Sequence, residues 1–236
     1  FENLERLTVR DYPDTNLKQL VPLKRLNYLS LEDTVDSDSI ISTDKDKIRV
    51  KDYSAISVMS GLKSLYLNSD IIKDIGFIKG LPALEDLTLE DTAVISLASL
   101  SEMPALRSLT LLGNNKVQDF GPVGTAPGLT SLSIDKMTSQ PDPDLSSLSS
   151  LEKLDIKGFM SISSVRGLSG LKELSIHNCN VDQADALSSL TGVERLTFYS
   201  VWNSQGNLRS LDFLKGMTGL KYADFTGNLD GTGWSG

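Results

Sequence analysis

The stretch Ile72-Lys73-Asp74-Ile75-Gly76-Phe77-Ile78-Lys79-Gly80-Leu81-Pro82-Ala83-Leu84-Glu85-Asp86-Leu87-Thr88-Leu89 changes its apolar rhythm part-way along. From Ile75 to Leu87 the apolar residues come every three positions, a spacing that suits neither an amphipathic α-helix nor a pleated strand. From Leu87 to Leu89 the step drops to two, the mark of a short strand with one buried face. Period three suits 3₁₀ turns or extended polyproline-like chain. The stretch therefore predicts a tight return that delivers the chain into a short strand.

The same reading repeats along the whole chain. The phrase Leu-x-x-Leu-x-Leu begins at Leu4, Leu26, Leu62, Leu84, Leu106, Leu129, Leu151, Leu171, Val193 and Leu220, at intervals of 22, 36, 22, 22, 23, 22, 20, 22 and 27 residues. Self-similarity at a fixed period predicts a stacked repeat in which each coil covers the apolar face of the one before. The returns keep their three-step rhythm elsewhere, as in Leu17, Leu20, Leu23, Leu26 and in Leu97, Leu100, Met103, Leu106. Pro22, Gly61, Pro82, Pro104, Gly128, Gly170, Gly192 and Gly219 punctuate the position before each strand and discourage a long helix. Leu87, Leu89, Leu109, Leu111, Leu132, Leu154 and Leu174 are predicted core.

These strand phrases, with Ile72 to Ile75 and its echo Val117-Gln118-Asp119-Phe120, resemble the leucine-rich repeat family, and within it the bacterial internalin-like class of about twenty-two residues per repeat. The resemblance implies an α/β-type repeat solenoid over residues 1–236: a right-handed coil with a short-stranded parallel sheet on the concave face and 3₁₀ or irregular convex returns. The family places Asn at a turn slot after the strand, where it bonds the backbone. Here that slot holds Tyr12, Thr34, Asp70, Thr92, Asn114, Met137, Phe159, Cys179, Val201 and Asn228, so water or neighbouring backbone is expected to replace Asn at several turns. The chain starts at Phe1 in mid-phrase and is read as a mature or excised fragment of a longer protein.

For function, the resemblance implies a non-enzymatic module that binds a protein ligand, or alternatively a glycan, at a bacterial cell surface or outside the cell. A cytosolic interaction scaffold or regulatory subunit is the alternative, followed by the recognition domain of an enzyme whose catalytic part lies elsewhere. Composition fits a binding role. The formal charge of −8 disfavours nucleic acid, and no apolar run is long enough to span a bilayer. A monomer without cofactor or metal is expected.

On the strands, residues between the leucines face outward. They include Tyr28, Glu32, Tyr66, Glu90, Lys157, His177, Tyr199 and Tyr222, which with Trp202 are the candidate binding residues. Tyrosine suits interface hot spots because it offers large contact area at low entropy cost. With strands about 4.8 Å apart, the ten of them would span on the order of 40 Å. Tyr199, Trp202 and Tyr222 form the expected aromatic centre. Charge along the face is expected to run from acidic (Glu32, Asp33, Asp70, Asp86, Glu90, Asp91) to basic (Lys153, Lys157, His177, Arg195), a gradient that would steer a polar partner. The long intervals predict protruding insertions near Asp36 to Val50 and Trp202 to Asn207.

Catalytic chemistry finds little support. The lone histidine, His177, and lone cysteine, Cys179, are two apart, but the cysteine falls in the inward turn slot and the histidine in an outward one. Asp142, Asp144 and Asp230 lack the spacing of a calcium loop and are read as turn residues. Cys179 is predicted buried, reduced and replaceable.

Overall fold

The computed structural model describes residues 2–33, 50–113, 116–117, 119–136, 142–202 and 210–226. The chain forms two compact units: residues 1–117 with 126–128, and residues 118–125 with 129–236. The first contains strands β1 (Arg6–Arg10), β2 (Tyr28–Glu32), β3 (Ser64–Asn68), β4 (Asp86–Glu90) and β5 (Ser108–Leu112). The second contains β6 (Ser131–Asp135), β7 (Lys153–Lys157), β8 (Glu173–His177), β9 (Arg195–Tyr199) and β10 (Tyr222–Asp224). Within each unit every strand pairs in parallel with the next in sequence, without register slip: Leu65 lies beside Leu87 and Leu87 beside Leu109, while Leu154 lies beside Leu174 and Leu174 beside Leu196. Parallel neighbours in sequence order, each joined by a crossing return, are the coil that the repeat predicts.

The three-residue rhythm of the returns has a direct cause. Ile78 donates its amide to the Ile75 carbonyl, Leu81 to Ile78 and Leu84 to Leu81, so each apolar residue is also a link in a chain of 3₁₀-type bonds. The same chain recurs through Leu97, Leu100, Met103 and Leu106, and in the second unit through Ile162, Val165, Leu168 and Leu171. A 3₁₀ turn eclipses side chains three apart, which aims every link at the core. Accordingly, Ile75, Ile78, Leu81 and Leu84 are at most 1% exposed. Among the described returns the sole α-helix is the four-residue α1 (Gly121–Gly124).

A polar residue starts most returns. Asp74 accepts the Gly76 amide at 2.6 Å and Asp119 the Gly121 amide at 2.8 Å, which explains the Ile-x-Asp-Ile phrase and its echo. Asn16, Asp52, Asp144, Ser161 and Ser210 likewise each accept the amide of the residue two positions on. These side chains satisfy donors that the backbone leaves open at the start of a turn.

The turn slot departs from the sequence-based expectation at one point. After β1, β4, β8 and β9 the next residue is left-handed (Asp11, Asp91, Asn178 and Ser200, φ between 47° and 52°), and the one after it turns inward. Tyr12, Thr92, Cys179 and Val201 are buried there, as expected. After β3 there is no such kink: Ser69 is buried at 1% and bonds Asp33 across the turn at 2.8 Å, while Asp70 is exposed. Ser69, not Asp70, takes the inward position. Neighbouring backbone supplies the ladder elsewhere, with Asp11 donating to the Glu32 carbonyl, Asp91 to Leu112, Gly158 to His177 and Asn178 to Tyr199. Thr34, Asn114, Met137 and Asn228 lie outside the described residues.

Candidate binding face

All seven predicted core leucines are at most 1% exposed, so the alternate strand residues stand on the opposite, outward face. On the first unit's face Arg6 stacks on Tyr28 with its guanidinium carbon 3.9 Å from the ring centre. Arg10 bonds Glu32 at 2.7 Å. The Tyr66 hydroxyl donates to Glu90; burial, reinforced by that carboxylate, pushes the phenol up to about 12. Ser30 shares this face yet is buried, with the larger Tyr66 beside it in register. Asp86 is raised from the ordinary carboxylate value by burial and then by Glu85.

The second unit's face is laced by ion pairs. Lys153 meets Glu173 at 3.2 Å, Lys157 meets Asp135 at 2.7 Å, and His177 Nε2 lies 3.5 Å from Asp155. Burial raises the Asp155 carboxyl, with His177 and then Lys153 opposing the shift. The hydrogen bond that Lys157 donates to Asp135, and then that carboxylate's charge, raise the Lys157 ammonium. The basic end expected here is thus interleaved with carboxylates. Cross-strand neighbours twenty or so residues apart quench it, a pairing visible only once the repeats are aligned slot by slot. On the acidic side, Asp33 is drawn into a buried turn and does not join the face.

The aromatic candidates separate. Tyr199 is 51% exposed with its ring 6.2 Å from His177. Tyr222 is 43% exposed, but it sits beside Arg195, whose guanidinium carbon lies 4.4 Å from the ring centre. Arg195 and Tyr199 are the two ends of β9, about 13 Å apart at 3.3 Å per residue. Trp202 lies past the turn, half-buried in a lone bridge with Asn180. The register therefore replaces one aromatic cluster by three separate positions. The remainder of the Trp202 insertion, and nearly all of the Asp36 to Val50 insertion, lie outside the described residues.

Cys179 is fully buried on the other side of the sheet from His177, with its sulfur accepting the Phe159 amide at 3.3 Å. Burial drives its thiol up to about 11, against the pull of backbone hydrogen bonds, so it is a poor nucleophile. A hollow of about 400 Å³ on the return side is lined by Asp182, Asp185, Asp212 and Phe213, but Arg166 already holds Asp185 and Lys215 holds Asp212. No cluster of metal-ligating side chains occurs among the described residues, and no described helix is long and apolar enough to cross a membrane.

Solved structures show the same architecture. The chain is similar to an internalin (inlF) from Listeria monocytogenes, with a TM-score of 0.65 and 24% identity over 94% of this chain. It is also similar to internalin C2 (inlC2) from the same organism, with a TM-score of 0.58 and 19% identity over 73% of this chain and 74% of that one. The fold is a leucine-rich repeat coil. The leucine-rich repeats seen here span 61% of the inlF chain's length. No family model matches the chain, and no curated protein is similar to it.

Proposed function

We propose that this chain is a non-enzymatic, internalin-like recognition module of the twenty-two-residue class, a monomer displayed outside a bacterial cell, that binds a protein partner through its outward sheet face. One observation carries the reading. Among the described residues, the two large aromatic side chains left exposed, Tyr199 and Tyr222, both stand on that face, held by strands rather than by loops. Rigid, half-uncovered tyrosines supply hot-spot energy at small entropic cost, which a row of serine and threonine does not. Structural likeness to two internalins supports the class, and a shared fold leaves the partner open.

The test compares three forms of the protein as bait for surface proteins of candidate host or neighbouring cells. They are the native chain, a face variant carrying Tyr199→Ser and Tyr222→Ser, and a control carrying Val58→Ser and Ile95→Ser at exposed apolar residues off the face. A partner retained by the native and control forms and lost from the face variant is the expected result. Retention on all three, or loss only in the control, refutes face binding. Retention of glycans instead of protein identifies the alternative ligand class.

A further inference from the structure

We infer that two arginines lying over tyrosine rings, Arg6 over Tyr28 in the first unit and Arg195 over Tyr222 in the second, are each, independently, a receptor point for a carboxylate on an acidic segment of the protein partner. The inference rests on the proposed use of the sheet face. Both pairs occupy the first outward position of adjacent strands, in register: Arg6 beside Tyr28, and Arg195 beside Tyr222. Their guanidinium carbons lie 3.9 Å and 4.4 Å from the ring centres.

The contrast with the other cations on the face is the argument. Arg10, Lys153, Lys157 and His177 each lie against a carboxylate from a neighbouring strand. Arg6 and Arg195 enter no ion pair among the described residues, and both are exposed. For Arg195 a carboxylate is within the same row: Glu173 is its register partner on β8, yet Glu173 reaches the other way to Lys153. The adjacent Glu194 is held by Lys221 at 2.9 Å. The guanidinium lies on the tyrosine ring instead. A single ring on one side leaves N–H groups of the guanidinium available, and these can grip a carboxylate through two parallel bonds. The ring fixes the plane beforehand, so less side-chain entropy is lost when the acid arrives.

The experiment titrates ¹⁵N-labelled protein with a hexaglutamate peptide at low ionic strength, following the arginine Nε–H signals. The Arg6 and Arg195 signals should move saturably, while that of Arg10, already bonded to Glu32, should stay. Arg6→Gln and Arg195→Gln should each weaken binding at their own position about tenfold, the worth of a charge-assisted bond. Tyr222→Leu should weaken binding at Arg195 although the arginine remains, and Arg195→Lys should not restore it. Four results overturn the inference: no shift of either arginine, an equal loss in Arg10→Gln, an unchanged affinity in Tyr222→Leu, or saturation by heparin with none by hexaglutamate. A partner that is captured by the face but keeps its affinity in both arginine variants also overturns it while face binding stands. Arginine shifts with hexaglutamate but no captured partner do the reverse.

Discussion

Leu154 and Asp155 are neighbours on β7, but they answer to different constraints. Leu154 stands in a column with Leu132, Leu174 and Leu196, all at most 1% exposed, and any of the four would serve in place of another. Asp155 stands in a row with Ser133, Ser175 and Thr197, and its surroundings are set by His177 two residues along the next strand. Inside, one rule of apolar transfer is applied again and again. Outside, each residue has its own partner. A chain can hold the inner column nearly constant and rewrite the outer rows, which is how one scaffold comes to recognise different ligands.

The sharpest attempt to break this contrast is to truncate adjacent residues on β5. Leu109→Ala should cost roughly 2–5 kcal/mol in chemical denaturation, because it removes buried methyl groups and leaves a cavity. Thr110→Ala, one residue on and outward, should cost less than about 0.5 kcal/mol. Equal costs would mean that the two sides are not energetically distinct.

Cys179 offers a pH test of the inner side. Burial pushes its folded thiol up to about 11 from an ordinary 9.0. Between these values the unfolded chain has released its proton and the folded chain has kept it. This thiol's contribution to stability should therefore fall by about 2–3 kcal/mol as pH rises from about 9 to about 11, and the raised Tyr66 phenol should continue the fall above that. Cys179→Ala should lose about 1 kcal/mol at neutral pH and show a shallower alkaline slope, the remainder coming from the raised Tyr66 and Tyr12 phenols. A parallel slope in both forms would place the cause elsewhere.

Smaller effects sharpen the boundary between the two sides. Asp142 accepts the amides of Met160 and Ser161 at 3.0 and 2.6 Å and pairs with Lys136 at 3.0 Å, whose side chain is only 8% exposed. Asp142→Ala should cost about 2 kcal/mol by stranding those donors, seen as a lowered denaturation midpoint. Lys157→Gln breaks a pair that is half in solvent and should cost less than about 0.5 kcal/mol. A loss above 1 kcal/mol would move the outward pairs from recognition into architecture.

The sequence disclosed the inner side almost completely, since a period of three and a step of two are written in leucine and isoleucine whatever their exact neighbours. It disclosed which residues face outward, because strand alternation follows from the same pattern. It did not disclose how they group. Tyr199 and Tyr222 are close in repeat number but stand at different rows, and only the register separates them. The pairing of Lys157 with Asp135 needed two residues 22 apart to be set side by side. Asp142 looked like a turn residue because its partners, Lys136 and the β7 turn, are joined only by folding. Ser69 displaced Asp70 because the left-handed residue that follows β1, β4, β5, β7, β8 and β9 is missing there, and φ is not written in residue type for serine.

The unslipped register from β3 to β5 also governs how such a chain can change length. Removing residues 84–105 would join Ala83 to Leu106 and lay β5 directly on β3, leucine to leucine and outward row to outward row. Removing a single residue from within β4 would set the rest of that strand a step out of phase with its column. The 20-residue interval before β8 and the 36-residue interval before β3, by contrast, are taken up in the returns without slip. Inheritance can therefore lengthen or trim a return by the letter, but it adds or deletes a strand only as a whole turn of the coil, by the line.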